Sequence, residues 1–362
     1  MNQGAVQIRV LVVDDSAFMR RAIAKMLENE PNIIVAATAR SGEEAIEKAA
    51  QVRPDVITMD VEMPGIGGLE AVREIAATRR VPIIMVSALT REGAETTFRA
   101  LEAGAVDFVA KPDAAYDNIN DVARDLIAKV ITFAGRGAVP QPRRALEIAR
   151  PAPPRPRIVR RRVRSAESYE CVAIGTSTGG PVALSRLIPA LPKDFSVPIV
   201  IVQHMPLGFT RPLSERLDAQ AAIGVVEAAE GMTLEAGRAY VVPSGRQVAL
   251  EREKGETVVR LRDDDGSSLH VPSVDIMIDA VAERFGARAV GVILTGMGQD
   301  GVVGLRKLKG RGGYVIGQDE QSCVVYGMPR AAERAGLVDR VLPLAEIAGA
   351  LCDLTGSAVT EV

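Results

Sequence analysis

Three carboxylates and one ammonium group each follow a short apolar run in the first third of the chain. They are Asp14 and Asp15 after residues 10–13, Asp60 after residues 56–59, and Lys111 after residues 106–110. In open parallel sheets, functional groups gather beyond the carboxyl ends of the strands, so we expect these side chains to converge. Converging carboxylates repel one another unless a divalent cation such as Mg²⁺ neutralises them, and that cation can also hold a phosphoryl group. The pattern predicts a phosphate switch.

Two further groups fit a phosphoryl ligand. Lys111 can pair with its oxygens, and the hydroxyl of Ser87, which ends the run 83–86, can donate a hydrogen bond to it. The simpler alternative is that acids at strand ends only cap the helices that follow, which is common for any one of them. Complementary groups at four strand ends favour the phosphate site.

A second constellation lies in the other half of the chain. Ser177 stands in the glycine-flanked segment Gly175–Gly180, between an apolar run and a helix-like segment. Such a turn exposes the hydroxyl next to the free N–H groups of a helix amino terminus, as a nucleophile requires. The same turn also suits a phosphate or anion pocket without catalysis. This motif alone leaves both interpretations open.

A nucleophilic serine needs a base, and the chain contains only two histidines. His204 ends the apolar run 199–203, which places it at a strand end on the same rim as Ser177. His270 follows a polar segment, where an ordinary hydrogen-bonding role is the default. His204 is therefore the candidate base.

A histidine base needs a carboxylate that fixes its tautomer and stabilises the imidazolium. Asp300, after the strand-like run 290–294, is the best candidate. Its alternatives, Asp275 and Asp279, fall in a helix-like segment, where a capping or solvated role is simpler. The order Ser177, His204, Asp300 differs from the serine, acid, histidine order of α/β-hydrolases, so that fold is not indicated.

The segment before Asp300 carries glycines on both sides of Met297. Gly296 and Gly298 indicate a close backbone approach, and the N–H of Met297 is a candidate donor to an oxyanion.

The elements that must position these residues form two α/β units. Residues 8–134 alternate apolar runs with amphipathic segments five times, which predicts a five-stranded domain over residues 1–135. Residues 136–168 contain ten arginines, six prolines and two acids, a composition typical of an extended linker. The α/β rhythm then resumes and predicts a larger domain over residues 169–362, with an exposed hairpin that turns at residues 263–266.

Composition excludes several classes of protein. The 362 residues are 47% apolar and 25% charged, as in globular proteins, without an apolar run of membrane-spanning length or a signal peptide. We therefore expect a cytoplasmic protein. Three widely spaced cysteines argue against a disulfide framework or a zinc cluster. The arginine-rich segment lacks interleaved aromatic residues, so we do not expect a nucleic-acid partner.

These motifs resemble the chemotaxis response-regulator protein-glutamate methylesterases over essentially the full length. The first domain resembles a receiver domain and the second resembles the esterase. The receiver motifs are Val12–Ser16, Asp60–Pro64, Ser87-Ala88 and Lys111-Pro112. The esterase motifs are Ile174–Gly180, Gln203–Thr210, Pro272–Asp275 and Leu294–Gly301. The resemblance implies a (βα)5 flavodoxin-like receiver and a mainly parallel, doubly wound α/β esterase domain.

For the receiver, the resemblance implies that Asp60 accepts a phosphoryl group from the phosphohistidine of a chemotaxis kinase. Mg²⁺ would be held by Asp15, Asp60 and the backbone carbonyl of Glu62, with Asp14 completing the acidic pocket. Ser87 and Lys111 would respond to the phosphoryl group. Phe108 matches the switch aromatic of receivers, although a phenylalanine in a strand is more often simply core.

For the second domain, the resemblance implies a cofactor-free esterase with Ser177 as nucleophile, His204 as general base and acid, and Asp300 as orienting carboxylate. Its substrates would be methylated glutamates of chemoreceptors, hydrolysed to glutamate and methanol, and certain receptor glutamines, which it would deamidate. A phosphorylation-controlled binding module is the alternative. A DNA-binding regulator would need a recognition-helix pattern that residues 169–362 do not show.

Overall fold

A computed structural model of the chain describes residues 7–88, 90–111, 119–135 and 169–357. The predicted linker, residues 136–168, lies outside the described residues, and so does Pro112 of the Lys111-Pro112 motif. Among the helices in the described ranges, none is both long enough and apolar enough to cross a membrane.

The first domain is a five-stranded parallel sheet in the order β2-β1-β3-β4-β5. Its strands are β1 (Ile8–Val13), β2 (Ile33–Ala39), β3 (Val56–Asp60), β4 (Ile83–Ser87) and β5 (Asp107–Ala110). Its helices are α1 (Ala17–Glu28), α2 (Gly42–Val52), α3 (Gly67–Thr78), α4 (Arg91–Ala103) and α5 (Ile119–Ala134). The sequence prediction of a five-stranded, flavodoxin-like (βα)5 fold is confirmed.

Local sequence explains why these elements form where they do. Strands β3 and β4 are interior and buried along their whole length, as expected of strands with helices on both faces, and β5 is equally buried although it lies at the edge of the sheet. Side-chain oxygens of Ser16, Ser41 and Thr90 accept hydrogen bonds from the first turns of α1, α2 and α4, so that each helix begins directly after a strand-end loop.

The second domain is a seven-stranded sheet in the order β14-β13-β12-β6-β7-β9-β8, and every pair of neighbours is parallel. The strands are β6 (Cys171–Thr176), β7 (Ile199–Gln203), β8 (Gly224–Glu227), β9 (Arg238–Val241), β12 (Ala289–Ile293), β13 (Tyr314–Gln318) and β14 (Arg340–Leu342). The helices are α6 (Gly180–Leu187), α7 (Thr210–Gln220), α8 (Val274–Phe285), α9 (Val302–Gly310), α10 (Met328–Arg334) and α11 (Leu344–Thr355), with a 3₁₀ turn at Gly286–Arg288.

The apolar runs 171–174, 198–202, 239–242, 289–294 and 314–316 of the sequence predict five of these strands, and the prediction misses β8 and β14. Both lie at the edges of the sheet, where a strand does not need apolar residues on both faces. In β14, two of the three residues are exposed. Apolar runs therefore identify the five interior strands only.

The separate hairpin pairs β10 (Gln247–Glu253) with β11 (Glu256–Arg262). Its turn is Lys254-Gly255, and both residues have positive φ angles (49° and 97°), as a two-residue hairpin turn requires. The predicted turn at residues 263–266 is therefore wrong, because that acidic segment follows the second strand instead of joining the two.

The two domains share apolar contacts. Phe98 of α4 and Phe108 of β5 pack against Phe209 of the second domain, and the ring centroids of Phe108 and Phe209 lie 4.7 Å apart. Val325 of the second domain lies in one buried cluster with Val130 and Phe133 of α5. The first domain thus contacts the second through α4, β5 and α5.

Candidate active site and phosphorylation site

Ser177 follows β6 directly and precedes α6. Its N–H donates to the carbonyl oxygen of Thr295 at 3.1 Å, so the loop after β6 is bound to the loop after β12. Gly179 provides the positive φ angle of 77° that turns the chain into the helix. Half-buried Ser177 therefore lies at the carboxyl edge of the sheet, as the sequence predicts.

His204 lies on the neighbouring strand end, since β7 is adjacent to β6. Its N–H donates to the carbonyl oxygen of Thr176 at 3.0 Å, one residue before Ser177. Its Nε2 lies 2.8 Å from Oδ2 of Asp300, in the loop after β12. The structure brings Ser177, His204 and Asp300 to three adjacent strand ends, β7, β6 and β12.

The ring orientation of His204 follows from this contact. Nε2 donates to the carboxylate, which leaves Nδ1 as the nitrogen with the free lone pair. Nδ1 is buried and has no hydrogen-bond partner among the described residues. Nδ1 is therefore the nitrogen left free to accept a proton, although the structure gives it no hydrogen bond to Ser177.

Asp300 also accepts hydrogen bonds from the amino terminus of α8. The donors are the hydroxyl of Ser273 (3.0 Å) and the N–H groups of Val274 (2.8 Å) and Asp275 (2.9 Å). Burial alone would raise the pKa of Asp300, but the hydrogen bonds and charge of His204 and the α8 N–H groups outweigh it and lower the pKa. Asp300 is a carboxylate across the physiological range, as an orienting group must be.

The two alternative acids have other partners. The carboxylate of Asp275 accepts hydrogen bonds from the N–H groups of Gly301 and Gly304 at 2.9 and 2.7 Å. Asp279 forms an ion pair with Lys307. Asp275 thus supports the loop that carries Asp300.

The loop containing Met297 comes very close to the nucleophile. A Cβ atom on Gly296 would lie 2.9 Å from Cβ of Ser177 and 2.3 Å from Sδ of Met328, so only glycine fits there. The N–H of Met297 has no acceptor among the described residues. The structure thus brings Gly296, the residue before Met297, against Ser177, and the oxyanion role of the Met297 N–H stays a prediction.

Sequence reasoning missed Gln203, the last residue of β7. Its buried amide donates from Nε2 to the carbonyl oxygens of both Ser177 and His204, each at 2.8 Å. A Cβ on Gly180 would lie only 1.8 Å from Oε1 of Gln203, so the amide fills the space beneath the start of α6. A polar residue at the end of an apolar strand, directly before the candidate base, was the available signal.

We expect the substitution Gln203→Glu to lower the free energy of unfolding by roughly 2–4 kcal/mol, because a buried acceptor replaces the donor opposite two carbonyl oxygens. Urea unfolding measures this change. Gln220→Glu, at an exposed position of α7, is the matched control and should differ from the unsubstituted protein by less than about 0.5 kcal/mol. Equal stability of the two variants would contradict the role of the Gln203 amide.

The predicted phosphate site also assembles. Ligand oxygens of Asp14, Asp15 and Asp60 all lie within 4.8 Å of one another, and Asp14 and Asp60 are buried. Nζ of Lys111 lies 2.7 Å from Oδ2 of Asp60 and 3.0 Å from Oδ2 of Asp14. One cation thus serves two buried carboxylates.

The charges of this site are incompletely balanced. Burial raises the pKa of Asp60 to about 6, against the influence of Lys111, and Asp14 adds to the rise. Burial would lower the pKa of Lys111, but its bonds to Asp60 and Asp14 outweigh this and raise it. Three clustered carboxylates fit a hard divalent cation such as Mg²⁺, which prefers oxygen ligands.

Three other predicted receiver residues lie around this cluster. Ser87 is buried at the end of β4, and its hydroxyl donates to the carbonyl oxygen of Ala88 at 3.2 Å. The N–H of Glu62 donates to Oδ1 of Asp60 at 3.2 Å, which places the Glu62 backbone beside the Asp60 carboxylate. Phe108 is buried in the contact with the second domain.

Known proteins resemble both parts of the chain. Residues 10–122 match the model of the response regulator receiver domain, and residues 172–351 match that of the CheB methylesterase. The catalytic domain of the CheB methylesterase from Thermotoga maritima superposes with a TM-score of 0.51 at 42% identity. That alignment covers 52% of this chain and 99% of that structure.

Curated relatives match nearly the whole chain. The protein-glutamate methylesterases/protein-glutamine glutaminases of Symbiobacterium thermophilum and Geobacillus kaustophilus are each 45% identical to it. The alignments cover 96% of this chain in both cases, and 97% and 99% of the relatives.

These matches define the class as a response regulator whose output domain is an enzyme. The chain belongs to the protein-glutamate methylesterase/protein-glutamine glutaminase family.

Proposed function

We propose that this protein is a phosphorylation-activated hydrolase that demethylates glutamate methyl esters on chemoreceptors and deamidates specific receptor glutamines. The observation that carries the proposal is the 2.8 Å contact between His204 and Asp300 beside the Ser177 loop. Its partners are a chemotaxis histidine kinase and cytoplasmic segments of methylated chemoreceptors.

The geometry supports a two-step acyl transfer. Oγ of Ser177 attacks the ester carbonyl and gives its proton to Nδ1 of His204, while Asp300 stabilises the imidazolium. The N–H of Met297 donates to the oxyanion of the tetrahedral intermediate. His204 then protonates the leaving methoxide, and methanol departs.

Water completes the reaction. It attacks the acyl-enzyme, gives its proton to His204, and releases the glutamate carboxylate as Ser177 recovers its proton. A primary amide follows the same route with ammonia as leaving group, so one site performs both hydrolyses.

Asp60 is the proposed phosphoryl acceptor, with Asp14, Asp15 and the backbone carbonyl of Glu62 as the other ligands for Mg²⁺. Mg²⁺ held by these residues would neutralise the carboxylates and supply positive charge to an incoming phosphoryl group. Lys111 pairs with the phosphoryl group, and Ser87 turns its hydroxyl toward it.

Contacts between the domains support control of the esterase by the receiver. Oγ1 of Thr178, next to the nucleophile, donates to Oδ2 of buried Asp107 in β5 at 2.8 Å. Oγ1 of Thr132 in α5 donates to Sδ of Met297 at 3.0 Å. The receiver thus contacts the loop that carries Ser177 and the loop that carries Met297. We propose that it restricts access of the receptor to the active site.

Ion pairs join the domains along α4 and α7. Arg216 of α7 contacts Glu95 and Glu102 of α4 at 2.8 and 2.5 Å, and Arg91 contacts Glu215 at 2.7 Å. Phosphorylation adds roughly −1.5 to −2 charge to the receiver, enough to displace a contact of this kind.

We expect the substitution Arg216→Ala to raise methanol release without a phosphodonor by about threefold to tenfold, because the closed arrangement loses two ion pairs. The measurement is the basal rate on methylated receptor membranes. Arg311→Ala, which removes an ion pair within the second domain, is the control and should leave the rate unchanged. A basal rate for Arg216→Ala at or below that of the control would contradict the restricting role of the receiver.

A covalent serine probe followed by mass mapping tests the hydrolase against a binding module that merely holds an anion. Labelling of Ser177 that disappears in His204→Ala is the expected result. Failure of Ser177 to react, in folded protein, would overturn the proposed chemistry.

A further inference from the structure

The second histidine of the chain lies against the first. The imidazole rings of His270 and His204 are stacked, with centroids 4.1 Å apart and planes inclined by 17°. Sequence reasoning assigned His270 an ordinary hydrogen-bonding role, because it follows a polar segment. Stacked aromatic rings restrict each other's rotation and contribute to the packing of the site.

The backbone at His270 is held in place by Gln247. Nε2 of this buried residue donates to the carbonyl oxygen of His270 at 3.0 Å, and its Oε1 accepts from the N–H of Ser273 at 2.9 Å. The hydroxyl of Ser273 in turn donates to Asp300 at 3.0 Å. One glutamine therefore fixes both the ring that covers His204 and a donor to its carboxylate.

The charged and titratable groups facing His270 come from three directions. They are His204 under its ring, Asp300 beyond it, and Asp125 of α5 in the receiver. His270 is exposed overall, yet desolvation of its ring lowers its pKa and the neighbouring His204 lowers it further, whereas the two carboxylates act in the opposite direction. His270 is thus a neutral ring at neutral pH and places no like charge against the imidazolium that forms on His204.

We propose that His270 is a positioning residue, whose ring stacks on His204 and holds Nδ1 of that base toward Ser177. Asp300 fixes only one edge of the His204 ring, and the stack prevents the ring from turning about that hydrogen bond. This role rests on the proposed hydrolase function, since it concerns the same base.

Three substitutions separate ring packing from other effects. His270→Phe keeps an aromatic face, His270→Ala removes it, and Ser267→Ala alters the same loop at a hydroxyl that bonds Asp265. We expect His270→Ala to lower kcat for methanol release by roughly tenfold to a hundredfold, with KM within about twofold, because misplacing a catalytic group reduces turnover more than binding. His270→Phe should stay within about threefold of the unsubstituted kcat, and Ser267→Ala should match it.

Thermal unfolding of the full chain accompanies the kinetics, and His270→Gln replaces His270→Ala if the alanine variant does not fold. An unchanged kcat in the folded ringless variant would overturn the inference, and so would a His270→Phe variant as slow as the ringless one. A fall in kcat accompanied by an equal rise in KM would also overturn it, because that pattern indicates a binding role. Absence of methanol release by the unsubstituted protein would refute the proposed function itself, a result distinct from these.

Discussion

Methanol release is expected to fall by at least about 10⁴-fold in the Ser177→Ala variant, because the variant lacks the hydroxyl that we propose as the nucleophile. Deamidation of receptor glutamines should fall in parallel, since the proposed mechanism takes both reactions through the same acyl-enzyme. Methanol from methylated receptor membranes and ammonia from glutamine-bearing receptors are the two quantities to measure.

The Ser177→Ala protein should still accept a phosphoryl group on Asp60, since the phosphate site lies in the other domain. Ser267→Ala is the matched serine control and should keep full activity. A Ser177→Ala variant that retains substantial esterase activity would refute the assigned nucleophile.

The second large effect concerns regulation. Asp60→Asn is expected to abolish stimulation by a small-molecule phosphodonor completely, because an amide cannot form the acyl phosphate, while basal methanol release remains. The amide keeps the shape of the carboxylate and removes one of the negative charges that meet at Lys111.

Asp121→Asn, at an exposed ion pair of α5, provides the control for loss of a receiver carboxylate. It should retain normal stimulation. If Asp60→Asn loses basal activity as well, the receiver does not act as a switch on an otherwise competent enzyme. If the variant is still stimulated, Asp60 is not the acceptor.

Much of the fold could be predicted because interior strands of parallel sheets are continuous apolar runs. The strands before Asp14, Asp60, Ser177 and His204 are of this kind, and each ends where a chemistry-bearing residue begins. Their convergence then follows from the general rule for the carboxyl edge of such sheets. Edge strands such as β8 and β14 have no such pattern and were missed.

The finer structure of the active site depends on tertiary contacts that have no local pattern. Nothing in the sequence indicates that Nε2 of His204 contacts Asp300, because ring orientation is set by packing. The N–H groups at the amino terminus of α8 bond Asp300 across a separation of 25 and 26 residues, a contact set by tertiary packing. The stack of His270 on His204 likewise joins residues from distant parts of the chain.

The contact between the domains is another feature beyond sequence reasoning. Buried Asp107 stands one residue before Phe108, in a run that indicates only a strand. Its carboxylate accepts a hydrogen bond from the hydroxyl of Thr178 and lies 3.3 Å from Nζ of Lys129. The receiver thus places a buried ion pair against the loop that carries Ser177 and Thr178. Predicting this contact would require the surfaces of both domains and the way in which they meet.

The central claim is that phosphorylation of one domain controls hydrolysis in the other. Methanol release from methylated receptor membranes, measured on the unsubstituted protein with Mg²⁺ and with or without a small-molecule phosphodonor, tests it most directly. We expect measurable basal release and a rise of about tenfold or more with the donor, a coupling of the usual allosteric size. No methanol under either condition, or equal rates under both, would contradict the account.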